Sequence, residues 1–172
     1  MPEIERTRDL VIFKKGDIFA VAISPALATS GWLGGQGMQW FNSSRDEMTV
    51  ESTDGAGQGF MLWGSDEDSD EFTALTRNQP HYNFGVLGFG GWLFSTRAFE
   101  RYTYASRLVG PLVPVTYTAQ DELVFSLRGR WTNEDEWTLS GDPRAPNANV
   151  MGVVVQPPSS VNDNYLTIQA RI

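Results

Sequence analysis

The chain has 172 residues, of which 41% are hydrophobic and 20% are charged. This length and composition favour a single domain spanning residues 1–172 and exclude wholesale disorder. The chain contains no cysteine, which excludes disulfides, thiolate zinc sites and cysteine nucleophiles. Its net charge of −8 opposes the phosphate backbone of nucleic acids, so we expect no direct contact with nucleic acid.

The amino-terminal residues 1–9 predict an extended arm. Residues 1–8 carry charges of both signs without an apolar stretch, and they therefore lack the pattern of a secretion signal. No window of the chain approaches the roughly 18 apolar residues that a membrane helix requires. These features predict no membrane contact and synthesis in the cytoplasm of the producing cell.

The next residues predict a β-hairpin followed by a long loop. Leu10–Phe13 and Ile18–Ile23 are apolar runs with strand character, and the Lys-Lys-Gly-Asp sequence between them is typical of a turn. Residues 25–45 contain several glycines beside tryptophan and phenylalanine, which argues against a helix. We expect this segment to be a long ordered loop or an arm that becomes ordered on a partner.

Further short strands are predicted along the rest of the chain, from alternating or continuous apolar residues, at Glu47–Glu51, Phe60–Trp63, Val113–Tyr117, Leu123–Leu127, Met151–Val155 and Leu166–Ile172. Pro114 cannot donate a ladder hydrogen bond, so its strand is expected at a sheet edge. Met151–Val155 is apolar on both faces and is expected at a sheet centre, whereas Leu166–Ile172 alternates as a half-buried strand does. One short helix is expected around Ser95–Arg101.

About nine to eleven short strands in one chain are typical of an all-β domain. The predicted fold is therefore mainly β, a single-domain antiparallel β-barrel or β-sandwich with long loops and little helix.

The residue types that carry chemistry do not form a recognisable catalytic motif. His81 is the only histidine, and no Gly-x-Ser-x-Gly sequence presents a serine to it. The glycine-rich segment Gly85–Gly91 lacks the Lys-Ser/Thr ending of a phosphate-binding loop. We therefore predict no catalytic residue and no cofactor, and we expect that the protein is not an enzyme.

An acidic run in the centre of the chain resembles a calcium-binding loop only in part. Asp66, Asp68 and Asp70 occupy the first, third and fifth positions of an EF-hand loop. However, Glu71 stands where that loop requires glycine, and Arg77 stands where it requires glutamate. We predict no metal site, and we favour a solvated, self-repelling loop over weak binding of a divalent cation.

A pair of tryptophans suggests an alternative function. Trp131 and Trp137 bracket three consecutive acidic residues, and sugars stack on tryptophan faces. The alternative is a carbohydrate-binding β-sandwich in which these two tryptophans line an exposed groove.

The carboxy-terminal third contains four segments in a regular succession: Ala119–Ser126, Gly129–Asn133, Asn149–Pro158 and Asn164–Ile168. They read as a polar turn leading into a strand, a glycine-containing hairpin tip, a strand with a proline stop, and a closing strand. This succession resembles the small head-decoration proteins, or capsid cement proteins, of bacteriophages.

The resemblance implies a non-enzymatic β-barrel that sits on a capsid shell and reinforces it. The implied partners are the major capsid protein or other particle proteins, together with self-association. The implied location is the virion, assembled in the host cytoplasm. The succession is also similar to other phage β-barrels, so a tail tube, neck or connector component remains an alternative.

Aromatic side chains beside the glycines are the expected partner contacts: Trp32, Trp40, Phe41, Phe89 and Trp92. Tryptophan and other aromatic residues often anchor protein interfaces. The competing interpretation is that the tryptophans fill the core of this domain, because tryptophan is usually well buried.

Overall fold

A computed structural model describes residues 2–42, 49–52, 57–65, 84–137 and 150–172 of the chain. Within these residues the structure is mainly β, with twelve strands and little helix, as the sequence predicts. His81 lies outside the described residues. The acidic run Asp66–Glu71, whose spacing resembles a calcium-binding loop in part, also lies outside them.

The described strands are β1 (Glu5–Arg6), β2 (Leu10–Lys14), β3 (Asp17–Ile23), β4 (Gly37–Asn42), β5 (Thr49–Ser52), β6 (Gly59–Met61), β7 (Phe84–Phe89), β8 (Leu93–Thr96), β9 (Glu122–Phe125), β10 (Trp131–Thr132), β11 (Gly152–Gln156) and β12 (Leu166–Ala170). The α-helices are α1 (Pro25–Ser30) and α2 (Tyr104–Val109), and two short 3-10 helices cover Asp135–Trp137 and Ser160–Asn162.

Seven strands form an open antiparallel sheet in the order β1-β2-β8-β12-β11-β9-β10. Strand β11 lies between β12 and β9, so its predicted central place is confirmed. Strand β12 is also central, and the expectation that only one of its faces is buried is wrong. Leu166 and Ile168 are buried, and Thr167 between them is buried as well, with its hydroxyl oxygen 2.6 Å from that of Ser95.

Five strands close into a small barrel in the order β3-β5-β4-β6-β7. Strands β3 and β5 pair in parallel, whereas the other four pairs of the ring are antiparallel. Barrel and sheet share an apolar cluster, in which Phe60 of β6 stacks on Phe94 of β8 with ring centroids 4.5 Å apart, and the barrel has a second apolar core of its own. Phe125 of β9 packs there against Trp131, at 4.4 Å between centroids.

The predicted hairpin of β2 and β3 is wrong, because the two strands belong to different sheets. Strand β2 pairs with β1 and β8, whereas β3 pairs with β7 and β5. The Lys-Lys-Gly-Asp turn carries the chain from sheet to barrel over Trp92, whose indole Nε1 donates to the carbonyl of Asp17 at 3.0 Å. A Cβ atom at Gly16 would lie 2.6 Å from this indole ring, so the crossing requires glycine.

Residues 25–42 of the predicted long loop are helix, buried turn and strand. The hydroxyl of Ser24 accepts from the amide of Leu27 at 3.2 Å and caps α1, with Pro25 in its first turn. Gly31 ends the helix with φ +76°, and Gly34 to Gln36 are buried before β4 begins. The expectation of an arm is therefore wrong for these residues; residues 43–45 lie outside the described ranges.

The predicted amino-terminal arm is extended, and it pairs with the sheet. Strand β1 lies beside β2, and the amide of Ile4 donates to the carbonyl of Ile12 at 2.7 Å. Residues of the expected arm thus form one edge of the seven-stranded sheet.

Two predictions between β8 and β9 are wrong. Residues 95–101 do not form a helix: the first two end β8, and Phe99 bridges Trp131. The helix begins instead at Tyr104. Residues 113–117 form no strand and make only a single bridge, between Pro114 and Tyr102, because they belong to the arm of an exposed loop.

Candidate interaction surface

An exposed loop connects β8 to β9, and its two arms run side by side. The amide of Thr103 donates to the carbonyl of Val113 at 2.8 Å, and the amide of Val115 donates to the carbonyl of Arg101 at 2.9 Å. Helix α2 and a turn lie between these arms. We call residues 101–115 the 101–115 loop.

Helix α2 is short because its sequence supplies both of its ends. Thr103 has extended backbone, and its hydroxyl accepts from the amide of Ser106 at 3.2 Å, which is the geometry of an N-cap. Gly110 has φ +52° and donates its amide to the carbonyl of Ser106 at 2.7 Å. A glycine in the left-handed region ends a helix with little strain.

The far end of the loop exposes a cluster of large apolar side chains. Every residue from Arg107 to Pro114 is exposed, and the apolar side chains among them are Leu108 (65% exposed), Val109 (85%), Leu112 (54%) and Val113 (51%). The described residues contain only four other large apolar side chains with comparable exposure, and these are scattered along the chain. Contiguous exposed apolar groups mark interaction sites in folded proteins.

The sequence of the loop itself carries no acidic residue. From Arg101 to Gln120 the sequence has two arginines and no aspartate or glutamate, although the whole chain carries a charge of −8. Both guanidinium groups lie over aromatic rings: Arg101 is 4.9 Å from the ring of Phe99, and Arg107 is 5.6 Å from that of Tyr102. The loop is therefore apolar at its tip, and its own charged side chains are two arginines, with the carboxylate of Glu134 beside the start of α2.

The first anchor of the loop is an ion pair at its base between buried Glu100 and half-exposed Arg128. Glu100 is fully buried, and Arg128 donates from Nη2 to both of its carboxylate oxygens, at 2.9 and 3.0 Å. The hydroxyl of Ser126 donates to the same carboxylate at 3.4 Å. A buried charge requires a partner and hydrogen bonds, and here both are present.

The second anchor joins the arms to the sheet. The hydroxyl of Tyr117 donates to the carbonyl oxygens of Glu100, at 2.6 Å, and Trp131, at 3.2 Å. Burial raises the pKa of Tyr117 far above its usual range, so the phenol remains a neutral donor. The ring of Tyr117 packs edge-on against Phe99, with centroids 5.6 Å apart.

A third anchor holds the start of α2. The amide of Tyr104 donates to the carboxylate of Glu134 at 3.3 Å, and the ring of Tyr104 lies 5.1 Å from that of Trp137. Burial raises the pKa of Glu134. Because three separate contacts fix its base, the loop presents its apolar tip on a rigid support.

An open groove of about 400 Å³ lies beside the arms of the loop, lined by Phe99, Arg101, Val115, Tyr117, Pro157 and Pro158 among others. A smaller cavity of about 80 Å³ lies between β2 and the barrel, beside Trp63 and Trp92. Within the described part of the chain, no three histidine or acidic side chains come together as metal ligands. No helix in the same residues is long and apolar enough to cross a bilayer.

The predicted aromatic contacts lie elsewhere in the fold. Trp32 and Trp92 are buried, and each donates its indole N–H to a carbonyl inside the chain, which favours the core-filling interpretation for both. Trp40 and Phe89 are partly buried, with Trp40 packed against the core of the barrel. The side chain of Phe41 is outside the described set.

Trp131 and Trp137 are both buried, so they do not line the exposed groove that the carbohydrate alternative requires. Trp131 instead donates its indole N–H to the carbonyl of Gly35 at 2.8 Å and fills the core. That part of the alternative is wrong, because Trp131 packs between sheet and barrel and Trp137 packs against Tyr104 at the base of the loop.

The exposed apolar residues have a sequence signal that lies outside any catalytic, phosphate-binding or metal-binding motif. Leu108-Val109 and Leu112-Val113 flank a Gly-Pro turn, whereas most turns are flanked by polar residues. Apolar residues on both sides of a turn therefore indicate a contact surface, provided that they do not belong to strands.

Comparison of the chain with protein-family models finds no matching family, and comparison with curated proteins finds no match either.

Proposed function

We propose that this protein is a non-enzymatic structural protein of a phage particle, a capsid decoration protein that reinforces the shell. The observation that carries the proposal is the 101–115 loop, which presents four exposed apolar side chains on a base fixed in the β core. The resemblance of the carboxy-terminal segments to head-decoration proteins supports the particle assignment. The proposed partner is the major capsid protein or a neighbouring particle protein.

A rigid loop suits this role for an energetic reason. Binding requires that loops and side chains at the interface become ordered, and a loop that is already ordered avoids most of this penalty. Helix α2 is capped at both ends, and the arms are joined by main-chain hydrogen bonds. A small number of exposed side chains can therefore be enough for useful affinity, especially where many copies bind one shell.

Co-sedimentation with purified mature shells tests the proposal. The wild-type chain is compared with Leu108→Ser/Val109→Ser, which removes the apolar tip without touching the anchors. The control is Val161→Ser, because Val161 is 89% exposed and lies outside the loop. We expect wild type and control to sediment with shells and the loop variant to bind at least about tenfold more weakly, since burying one such side chain contributes about 1.5–3 kcal/mol.

Equal sedimentation of the three proteins would reject the loop as the shell contact. Absence of all three from the shell pellet would reject the decoration role. A far-UV circular dichroism spectrum and a melting curve of each variant show that any loss of binding is not a loss of folding.

A tail tube, neck or connector component is the second candidate. The exposed apolar tip of the loop favours it as well, because such a tip can contact an unlike surface of a neighbouring copy. Such heterologous contacts generate rings or filaments. A closed ring or a growing polymer in solution would favour this candidate over a shell-bound protein.

A further inference from the structure

The open groove beside the 101–115 loop lies where the two arms of the loop stop pairing. Nearer the tip the arms are joined by main-chain bonds, the last of them from the amide of Val115 to the carbonyl of Arg101. The same antiparallel alignment would next join the amide of Arg101 to Val115, and then the amide of Tyr117 to the carbonyl of Phe99. Neither bond is made among the described residues. Two amides and two carbonyls of residues that line the groove therefore lack a partner within the described part of the chain.

The course of the first arm directs its unpaired groups away from the sheet. On the sheet side, the main chain on either side of Phe99 bonds to Trp131. Successive residues of an extended chain direct their main-chain groups to opposite sides, so the carbonyl of Phe99 and the amide of Arg101 face the other arm. Phe99 and Tyr117 are each only 6% exposed. Buried main-chain groups almost always have a hydrogen-bond partner, so the groove is a place where a ligand can supply one.

The unpaired groups are of both kinds that a peptide main chain complements. The amides of Arg101 and Tyr117 can donate, and the carbonyls of Phe99 and Val115 can accept. An extended segment that adds to an open strand edge satisfies both kinds with its own carbonyls and amides. A small anion would satisfy the donors alone, because carbonyl oxygens repel it.

One side chain of the groove selects the charge of such a segment. The guanidinium of Arg101 lies 4.9 Å from the ring of Phe99, and it forms no ion pair with a carboxylate among the described residues. Arginine over an aromatic ring is well suited to a carboxylate, which it binds through two parallel hydrogen bonds. Val115, Pro157 and Pro158 add apolar surface to the groove. Its volume of about 400 Å³ falls in the range of pockets that bind ligands, about 300–1,000 Å³.

We propose that this groove binds an extended acidic segment of a partner protein, whose main chain bonds to the separated arms and whose carboxylate pairs with Arg101. The bound segment carries an aspartate or glutamate between apolar residues, which pack against the valine and the two prolines of the groove. The groove is separate from the apolar tip at Leu108 and Val109. The site therefore stands whether or not the chain binds a capsid.

Amide hydrogen exchange of the isotope-labelled full chain, followed by NMR, tests the site. The probe is a pool of short blocked peptides with one Asp or Glu between apolar residues, added at about 1 mM. Without peptide, the amides of Arg101 and Tyr117 should exchange faster than those of Thr103 and Val115, which are already bonded. The peptides should slow exchange at Arg101 and Tyr117 at least about tenfold and leave the other two amides unchanged.

A matched pair of arginine variants tests the charge. Arg101→Gln keeps most of the side-chain stem and removes the charge, so it should weaken binding of the acidic peptides at least about tenfold. Arg107→Gln is the control, because Arg107 is exposed on the same loop, over the ring of Tyr102, and is not among the residues that line the groove. It should bind the peptides as the wild type does. The NMR spectrum of each variant also shows whether it is folded.

Several results would overturn the proposal. Slow exchange of Arg101 and Tyr117 without peptide would mean that both amides already have partners. Equal binding of matched peptides with Asn or Gln in place of the acid, or full binding by Arg101→Gln, would remove the role of the carboxylate. Unchanged exchange with every peptide would mean that the groove holds only water. Protection by acetate alone, at the same concentration, would identify a site for small carboxylates and reject the peptide.

Discussion

The hydroxyl of Tyr117 lies 2.6 Å from the main-chain oxygen of Glu100 and donates to it. This bond joins the residue that precedes the 101–115 loop to a residue that follows it. The side chain of Glu100 is held by Arg128 in the same place. One buried residue thus fixes both the start and the end of the exposed surface.

Replacement of Tyr117 by phenylalanine should lower the free energy of unfolding by about 1–2 kcal/mol, because a buried carbonyl loses its donor. For a chain of this size this corresponds to a fall in Tm of about 2–8 °C. Thermal unfolding followed by circular dichroism measures the change. An unchanged Tm would show that the hydroxyl does not hold the base of the loop.

Replacement of Arg128 by alanine should destabilise the protein by about 1–3 kcal/mol, because it leaves the buried carboxylate of Glu100 without its half-exposed counter-ion. Adding Glu100→Gln to this variant should restore part of the stability, since the uncompensated charge is then removed. Urea unfolding of the two variants and the wild type measures both steps. A double variant less stable than Arg128→Ala would contradict an origin of the loss in the unpaired charge.

Replacement of Glu134 by glutamine should stabilise the protein at about pH 7 and have no effect at about pH 4. Burial raises the pKa of Glu134 above its ordinary value of 4.5. The folded state therefore binds this proton more tightly than the unfolded state, and stability falls as pH rises through the raised pKa. Glutamine keeps an oxygen for the amide of Tyr104 and carries no charge.

The expected gain at about pH 7 is small, a rise in Tm of less than about 4 °C. Glu136→Gln is the matched control, because Glu136 is an exposed neighbour in the same turn, and its effect should be smaller. Equal effects of Glu134→Gln at both pH values would contradict the assignment.

Alanine at Gly37 or Gly57 should destabilise the protein by about 1–3 kcal/mol through overpacking. A Cβ atom at either position would overlap the ring of Phe125, which lies between the two glycines. The control is Gly91→Ala, because the nearest atom, on Gln169, would lie 3.9 Å from the new Cβ. Denaturant unfolding that ranks the control with the other two variants would refute this packing.

Strand pattern predicts much of this fold, because β11 has the continuous apolar run of a central strand and the sequence of β12 alternates apolar and polar residues. The same pattern fails for Val113–Tyr117, because this segment is a loop arm that runs from the exposed Val113 to the buried Tyr117 and pairs with no strand. It also places β2 and β3 in one hairpin, because the short turn sequence between them gives no sign that Trp92 packs against the turn and that the two strands belong to different sheets. Ser24-Pro25 is the sequence of a helix N-cap followed by a first-turn proline, and it predicts helix α1. The dense glycines that follow argue against a helix and outweigh this pattern.

The candidate surface is harder to predict, because exposure depends on what the tertiary structure covers. Trp32 and Trp92 have the residue type of an interface anchor, yet the fold uses them in its core. Leu108 and Val109 have the residue type of a core, yet they are exposed and no element among the described residues covers them. Composition identifies apolar residues, and only the arrangement of strands decides which of them face outward.

The ends of the 101–115 loop meet, since the amide of Val115 donates to the carbonyl of Arg101. A segment with adjoining ends can be lengthened, shortened or exchanged with little effect on the strands that carry it, because closure depends only weakly on length. The β core is therefore a scaffold for grafting. A foreign peptide inserted between Thr103 and Val113 would be displayed once per chain, and a change of partner would require no change in the core.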